Sequence, residues 1–331
     1  MYFGASLEST FRYMRQSLIG DIILPIRIDT PFAVGPVYSY LVKDEKNVLV
    51  DCGHKSDSSY QQLKRALSEQ NLGVGDIDEI WLTHGHPDHY GQAAKLADES
   101  GAHVKGHAKE RGNFAANDNA ELFEAFFHQH DIPEKQIALM VDQLDWLQQY
   151  QEAIEPEWIS QGETLATGTL NFTIKHAPGH APGHVVFYSD EGIIFGGDVL
   201  LGHISTNALV NFDPETGSRN KSLLQYRKTL QWMQERQGVV LPGHGERIEN
   251  IGEVAAHHLS EQRKRYEAIL SLISDHPRTL IELSQILFAD AMDSGAHFLV
   301  FSEIIGYLDW AVAEGAIEAE EDTPVVYHPA N

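Results

Sequence analysis

The chain has 331 residues, of which 42% are apolar and 22% charged, and its formal net charge is −24 at pH 7. This charge argues against nucleic acid as a general partner, because binding to phosphate backbones depends on clustered Lys and Arg side chains. A membrane span is not expected, because the sequence has no run of about 18 apolar residues, and no secretory signal is recognisable. The single cysteine, Cys52, excludes an internal disulfide and favours a cytoplasmic location.

Short strands alternate with helices over the first hundred residues. The apolar patterns predict strands at residues 47–51, 79–83 and 102–105, and helices at residues 58–69 and 92–99. Asp57 and Ser58 are both candidates for the N-cap of the first helix, and Gly101 is expected to end the second.

The composition changes between residues 107 and 157, where Glu, Gln, Ala and Phe are frequent and β-branched residues are few. This stretch predicts helices at residues 121–128 and 135–153. We interpret it as a helical insertion that packs on the core and also forms a lid over a substrate pocket.

Strands return in the second half, and the chain then ends in a helical segment. Strands are predicted at 169–174, 185–189, 192–195 and 239–241, with a helix at 222–234. The last segment predicts helices at 252–274, 280–288 and 298–314, followed by strands at 316–319 and 324–327.

Three helices and a β-hairpin form a winged-helix pattern over residues 251–331. Many such modules bind DNA. This one has 14 acidic against 4 basic residues, a net charge of −10, which favours a structural or dimerising role. A homodimer formed through the insertion or the tail is one possibility.

Four potential metal ligands fall within six residues, directly after the predicted strand at 79–83. They are His84, His86, Asp88 and His89. With 18 histidines in the chain, some are close together by chance, but an H-x-H-x-D-H motif behind a buried strand indicates a metal site. Zinc binds imidazole nitrogen and carboxylate oxygen at about 2.0–2.2 Å.

Further potential ligands follow later strands. A Pro/Gly-rich loop contains His176, His180 and His184, Gly197 precedes Asp198, and His244 lies in a Pro-Gly-His-Gly sequence. Taken alone, Asp198 and His244 are equally well explained as turn residues.

Together with Asp51 at the end of an early strand, these motifs resemble those of the metallo-β-lactamase-fold hydrolase superfamily over about residues 20–250. The resemblance implies an α+β fold, a four-layer αββα sandwich, with a catalytic domain at 1–250 that contains the insertion and a winged-helix-like domain at 251–331. The layout is similar to hydroxyacylglutathione hydrolase-like and lactamase-like proteins with a C-terminal winged helix.

The resemblance also implies a ligand set for two divalent ions, with zinc favoured and iron or manganese as alternatives. It places His84, His86 and His180 around the first ion, Asp88, His89 and His244 around the second, and Asp198 between them. Asp51 and His184 would lie behind the ligands and orient them by hydrogen bonds. His54, His176 and His203 are interpreted as surface or packing residues, and Cys52 as an inert buried thiol.

The expected reaction is hydrolysis of a small molecule by a metal-bridging hydroxide, with Asp88 guiding the proton. A thioester is the first choice, and an ester or lactone the next. Acyl-homoserine lactonases have a Tyr three residues after the bridging Asp, where this chain has Leu201, and the acidic tail differs from the basic tail of hydroxyacylglutathione hydrolases.

Two alternatives remain open. A phosphodiesterase or nuclease could use the same ions, and a basic residue lining the pocket, with Arg111 and Arg219 as the candidates, would favour it. The third interpretation is a non-catalytic binding protein.

Overall fold

The computed structural model describes residues 15–116, 120–320 and 322–330. Its first sheet has six strands in the order β1-β2-β3-β4-β5-β6. Strands β1 to β3 pair antiparallel, and β3 to β6 pair parallel. Their bounds are Ile23–Ile28 (β1), Val37–Lys43 (β2), Asn47–Val50 (β3), Glu79–Trp81 (β4), His103–His107 (β5) and Glu157–Ile159 (β6).

The second sheet has five strands in the order β11-β10-β9-β8-β7, with only β10 and β11 parallel. The predicted hairpin of β9 and β10 is confirmed. The strand bounds are Thr164–Ala166 (β7), Asn171–His176 (β8), Val185–Tyr188 (β9), Ile193–Gly197 (β10) and Val239–Pro242 (β11).

Ten helices lie wholly within the described residues, besides a helical stretch at residues 15–21 and two short 3₁₀ turns. None of the described helices has the length and apolar character that crossing a membrane needs. The helices are Asp57–Glu69 (α1), Pro87–Tyr90 (α2), Ala93–Ser100 (α3), Arg111–Phe114 (α4), Ala120–Gln129 (α5), Glu134–Gln148 (α6), Ser222–Gln234 (α7), Ile251–Asp275 (α8), Leu280–Asp293 (α9) and His297–Ala313 (α10).

The two sheets pack face to face because their strands are apolar on both sides. On β3, Val48 and Val50 point into the core between the sheets, whereas Leu49 packs under helices α1 and α3. On β9, Phe187 joins the core between the sheets, and Val186 packs against the helices on the far side. Successive strand residues alternate between faces, so this pattern produces four layers, and the predicted αββα sandwich is confirmed.

Several helix boundaries differ from the sequence-based expectations. Ser56, not Asp57 or Ser58, caps α1, since its hydroxyl accepts the Ser59 N–H. Helix α6 ends at Gln148 instead of residue 153, and α9 continues past a kink at Phe288 to Asp293.

The C-terminal segment contains the three predicted helices and a three-stranded sheet in the order β12-β14-β13. Its strands are Arg278–Thr279 (β12), Ile317–Glu320 (β13) and Val326–Pro329 (β14). The two-residue strand β12 was not predicted. The buried residues of these helices form one apolar cluster with α7 and with Phe127 and Ile137 of the insertion. The winged-helix assignment and the domain boundary at residue 250 remain predictions.

Helix α10 also supports a long loop, residues 198–221, that follows β10. Asp309 on α10 is buried and binds the Arg219 guanidinium through two bonds of 2.6 and 2.7 Å, and the Lys221 ammonium at 2.5 Å. Ser302, two turns earlier on the same helix, accepts the Val210 N–H. The C-terminal helices therefore fix the path of this loop.

We expect Asp309→Asn to lower the free energy of unfolding by roughly 2–3 kcal/mol. This is less than the roughly 3–5 kcal/mol for breaking a fully buried ion pair, because the side chains of Arg219 and Lys221 remain 17% and 55% exposed. Urea unfolding measures the change. The control, Glu267→Gln, breaks an exposed pair with Arg263 and should cost no more than about 0.5 kcal/mol; equal effects of the two variants would contradict the prediction.

Candidate metal centre

The ends of five strands bring the predicted site residues to one edge of the sandwich. Asp51 follows β3 directly, and residues 82–89 follow β4. These two strands are parallel, so their carboxyl ends meet at the same edge. In the second sheet, Asp198 follows β10 and His244 follows the parallel strand β11, while His180 lies in the loop between β8 and β9.

The side chains at this edge form three overlapping groups. Within each group, the potential ligand atoms lie within 4.8 Å of one another. The groups are His84, His86 and His180; His84, His89 and Asp198; and Asp88, His89 and His244.

Asp198 lies between the first and the third group. One of its carboxylate oxygens is 3.4 Å from Nε2 of His89, and the other is 3.6 Å from Nε2 of both His180 and His244. Nε2 of His244 is also 3.2 Å from a carboxylate oxygen of Asp88. This arrangement allows one carboxylate to contact two cations.

Several of these atoms are buried without a hydrogen-bond partner among the described residues. They are Nε2 of His84, His89 and His244 and Oδ1 of Asp198. Buried polar atoms are almost always hydrogen bonded, because leaving them unpaired costs free energy. The donor set, imidazole nitrogen and carboxylate oxygen converging on one gap, fits a divalent cation.

The outer nitrogens of the histidine rings are held by neighbouring groups. Nδ1 of His180 faces the Asn207 carbonyl oxygen at 3.0 Å, and Nδ1 of His244 faces the Pro36 carbonyl oxygen at 2.8 Å. Because a carbonyl only accepts, both Nδ1 atoms carry hydrogen, which leaves Nε2 of each ring as the atom that could bind a cation. His86 differs, since its Nδ1 faces Nε2 of His180 at 2.9 Å.

Asp51 orients two further histidines. Its carboxylate contacts Nδ1 of His89 at 2.8 Å and accepts both the N–H and the hydroxyl of Thr83, at 2.8 and 2.7 Å. The Thr83 hydroxyl oxygen in turn lies 3.0 Å from Nδ1 of His84. Since the Thr83 hydrogen points to Asp51, the oxygen is free to accept from His84, whose Nε2 then faces the gap.

His184 lies beside the groups and not within them. Its Nε2 accepts the Asp198 N–H at 3.0 Å, and its ring stacks on that of His84 at 4.6 Å between centroids. The backbone at Gly197 has a φ of +48°, and a Cβ there would lie 2.7 Å from His184 Nε2. Glycine is therefore needed to bring Asp198 to the site.

The charges around the site divide the histidines into two sets. Burial and the neighbouring rings of His89 and His86 hold the pKa of His84 well below its usual range, and burial and His180 lower the pKa of His86 to about 3. Burial opposes protonation of His89 as well, but Asp198, Asp88 and Asp51 together hold its pKa well above 6.5.

The neighbouring histidines lower the pKa values of two carboxylates at this site. Burial works against ionisation of Asp88, but His89 and His244 lower its pKa to about 2. The pKa of Asp198 also lies well below its usual range, chiefly because of His89 and His244. Both carboxylates are therefore ionised at neutral pH.

Sequence reasoning missed four parts of this site. Thr83 and the carbonyls of Pro36 and Asn207 orient ligand rings, and the buried Glu110 accepts backbone N–H groups from two loops of the site. Thr83 could have been found from its place directly before His84. The other three carry no signal in the sequence, because the fold alone brings them to the site.

The remaining histidines near the motifs have other surroundings. His54 is buried among the rings of Phe32 and Tyr150, with centroids at 5.9 and 5.6 Å. His176 stacks on His107 at 4.4 Å, and both lie outside the ligand groups. Cys52 is buried, and burial raises the pKa of its thiol, as expected for an unreactive cysteine.

We expect the metal-free protein to be most stable near pH 6.5. Below that pH, the unfolded chain protonates His84, His86, His180 and His184, whose pKa values are lowered in the fold, so stability rises with pH. Above it, His89 and His244 keep protons that the unfolded chain loses, because their folded pKa values are raised, so stability falls. Thermal melts of chelator-treated protein from about pH 5 to 8.5 test this, and a continuous rise above pH 6.5 would contradict it.

The comparisons with known proteins were consistent with one another. The family model of the metallo-beta-lactamase superfamily matches residues 33–280. The probable metallo-hydrolase YqjP of Bacillus subtilis is 30% identical over 312 residues, which are 92% of this chain and 97% of that protein. The hydroxyacylglutathione hydrolase GloC of Haemophilus influenzae is 31% identical over 214 residues, 62% of this chain and 84% of the relative.

A solved structure supports the same relationship. The metallo-beta-lactamase family protein TTHA1429 from Thermus thermophilus has a TM-score of 0.79 and 26% sequence identity, over 93% of this chain and 98% of that one. The family match covers well over half of the chain, and the metallo-hydrolase relative spans nearly all of it. The chain therefore belongs to the metallo-beta-lactamase superfamily, whose relatives indicate a metal-dependent hydrolase.

Proposed function

We propose that this protein hydrolyses a carboxylic ester-type bond in a small molecule, a thioester in the first place and an ester or lactone in the second, with two divalent metal ions. The observation that carries the proposal is the convergence of buried, unpartnered imidazole nitrogens and a carboxylate oxygen on one gap. A binding protein with a vestigial metal site would have no need to keep so many buried ligand atoms together.

The proposed ligands follow the three groups. His84, His86 and His180 would hold the first ion, Asp88, His89 and His244 the second, and Asp198 would contact both. Asp51 and His184 would orient this set. The nitrogen and oxygen donors suit zinc, and iron or manganese accept the same ligands.

When bound, a divalent ion lowers the pKa of water from 15.7 to about 7, which provides a nucleophile at neutral pH. Asp88 is the residue to move the proton. Its carboxylate lies at the gap, 3.2 Å from Nε2 of His244, and is ionised at neutral pH. It would take a proton from the attacking water and pass it to the leaving group. No serine or cysteine nucleophile is required.

The preference for a thioester rests on the hydrolase relative. A hydroxyacylglutathione carries its acyl group on the glutathione thiol, so the name of that relative describes a thioester substrate. The phosphodiester alternative receives less support. The Arg219 guanidinium is engaged by Asp309, and that of Arg111 lies over the Trp158 ring.

Aromatic side chains from three segments supply a wall for an apolar acyl group. Phe32 contacts Trp146 and Tyr150 at 5.9 and 5.3 Å between ring centroids, and His54 packs against both Phe32 and Tyr150. The Tyr150 carbonyl oxygen lies against Gly91, two residues after His89, so the wall adjoins the segment that carries the proposed ligands. We propose that the insertion, through Trp146 and Tyr150, shapes the substrate pocket.

A substrate screen with generic thioesters, esters, lactones and bis-p-nitrophenyl phosphate tests the proposed reaction. We expect thioesters to turn over fastest. His86→Ala and Asp198→Ala should lose hydrolysis and keep the wild-type circular dichroism, since both residues serve the ions and not the core. His103→Ala, at an exposed position of β5, is the matched control and should retain activity. Hydrolysis of the phosphodiester alone would refute the proposed reaction.

We expect Trp146→Ala to raise KM for substrates with an apolar acyl chain about fivefold, with little change in kcat. The indole is 44% exposed, so its contact with substrate would contribute about 1 kcal/mol of binding. Leu139→Ala, on the same helix and 41% exposed, should leave KM unchanged. Equal KM values for wild type and Trp146→Ala would show that the insertion does not contact the acyl group.

A further inference from the structure

Glu110 is a fully buried carboxylate at the start of the insertion. It ends the 3₁₀ turn at residues 108–110, immediately before α4, and its side chain has no exposed surface. The carboxylate accepts three hydrogen bonds, from the N–H of Gly183 at 2.5 Å, from the side-chain amide of Asn113 at 2.6 Å and from the N–H of Gly85 at 3.2 Å. No Lys, Arg or His pairs with it within the described ranges of the chain.

The two backbone donors belong to different ligand loops. Gly85 lies between His84 and His86, and Gly183 lies three residues after His180. One carboxylate thus joins the loop after β4 to the loop between β8 and β9. These are the two loops that supply all three residues of the group proposed to hold the first ion.

The loops approach Glu110 so closely that neither has room for a side chain at the contact. A Cβ on Gly85 would lie 2.7 Å from the Glu110 carboxylate and 2.5 Å from Cβ of Asn113. A Cβ on Gly183 would lie 2.8 Å from both the backbone nitrogen and Cγ of Glu110. The contact is therefore fixed by the backbone of both loops and is not an incidental bond of a mobile side chain.

A second interaction holds the His180 loop from the same segment. His107, at the end of β5, stacks on His176 at 4.4 Å with the ring planes 11° apart. His176 in turn contacts the Pro182 carbonyl oxygen at 2.9 Å. Residues 107–110 therefore contact the loop that carries His180 at both of its ends.

Because no cationic side chain in the described part of the protein pairs with Glu110, its charge favours a bound cation nearby. A buried carboxylate that has only N–H dipoles as partners is costly, and burial raises the pKa of Glu110 accordingly. A cation held by the adjoining loops would offset this charge. Outer groups that orient metal ligands commonly change metal affinity when they are replaced.

We propose that Glu110 is a positioning residue for the first ion: by tying Gly85 to Gly183 it sets the spacing of His84, His86 and His180 and thereby the affinity of this group for a divalent cation. The inference rests on the proposed metal centre. Replacing Glu110 should therefore weaken binding of the ion at His84, His86 and His180 more than binding of the ion at Asp88, His89 and His244. Glu110 makes no bond to the loop that carries His244.

Metal titration of the full chain tests this role. Chelator-stripped wild type, Glu110→Gln and Glu110→Asp are titrated with Zn²⁺ against a competing chelator, and with Co²⁺ while the visible absorption is followed. Glu110→Gln keeps the size but removes the charge and one acceptor, and Glu110→Asp keeps the charge but is too short to reach both glycines. We expect wild type to bind two ions, and both variants to bind one of them about 10- to 100-fold more weakly, with an altered Co²⁺ spectrum.

Glu303→Gln is the matched control, because Glu303 on α10 is also a desolvated carboxylate with a raised pKa but contacts Tyr307 in the C-terminal segment. It should bind both ions like wild type. Wild-type affinities in both Glu110 variants, an equal loss in Glu303→Gln, or loss confined to Glu110→Gln would each overturn the positioning role. Glu110 variants that lack wild-type circular dichroism even with Zn²⁺ would assign the residue to general stability instead. A wild-type protein that binds no ion would refute the proposed function itself, and the positioning role with it.

Discussion

The carboxylates of Asp51, Asp88 and Asp198 are buried together at one edge of the sandwich, and this constraint governs the surrounding structure. Concentrating negative charge away from water is costly unless positive charge or strong donors accompany it. In the metal-free protein these carboxylates raise the pKa of His89 and His244 against the effect of burial, so the two rings bind protons more readily and supply positive charge. Bound cations would take over this role, and they would have to displace those protons.

The rest of the fold keeps the ligands in place around this charge. Strand ends deliver the side chains, and backbone carbonyls or Asp51 fix the outer nitrogens of the rings. The C-terminal helices act at longer range. Asp309 holds Arg219 and Lys221, so the loop after β10 is fixed, and its Asn207 carbonyl binds His180. Through Asp309 and Ser302, helix α10 therefore supports the loop that orients His180.

Much of the site could be predicted because its ligands occur in short motifs after apolar strands. His84, His86, Asp88 and His89 were identified this way, whereas Asp198 and His244 became candidate ligands through the family resemblance, and the structure brings all of them together. The four layers were implied by the family resemblance, whereas the apolar patterns predicted strands β3 to β5, β8 to β11, β13 and β14 and missed β1, β2, β6 and β7. These features depend on local sequence, in which period and residue type carry the information.

What could not be predicted depends on contacts between distant segments. Glu110 looked like any acidic residue in a helical insertion, because nothing nearby in sequence reveals the Gly85 and Gly183 donors. Ser56 rather than Asp57 caps α1, a choice between adjacent polar residues that residue type alone does not decide. The kink at Phe288 has no neighbouring Pro or Gly to signal it, and the short strand β12 depends on pairing with the distant strand β14.

The proposed metal centre holds two cations at one edge of the sandwich, with ligand sets that share Asp198. Anomalous diffraction from crystals grown with Zn²⁺, recorded on both sides of the zinc absorption edge, tests it most directly. The account predicts two peaks roughly 3.5–4 Å apart, one about 2.0–2.2 Å from nitrogens of His84, His86 and His180 and the other equally close to Asp88, His89 and His244. A single peak, or peaks away from these residues, would contradict it.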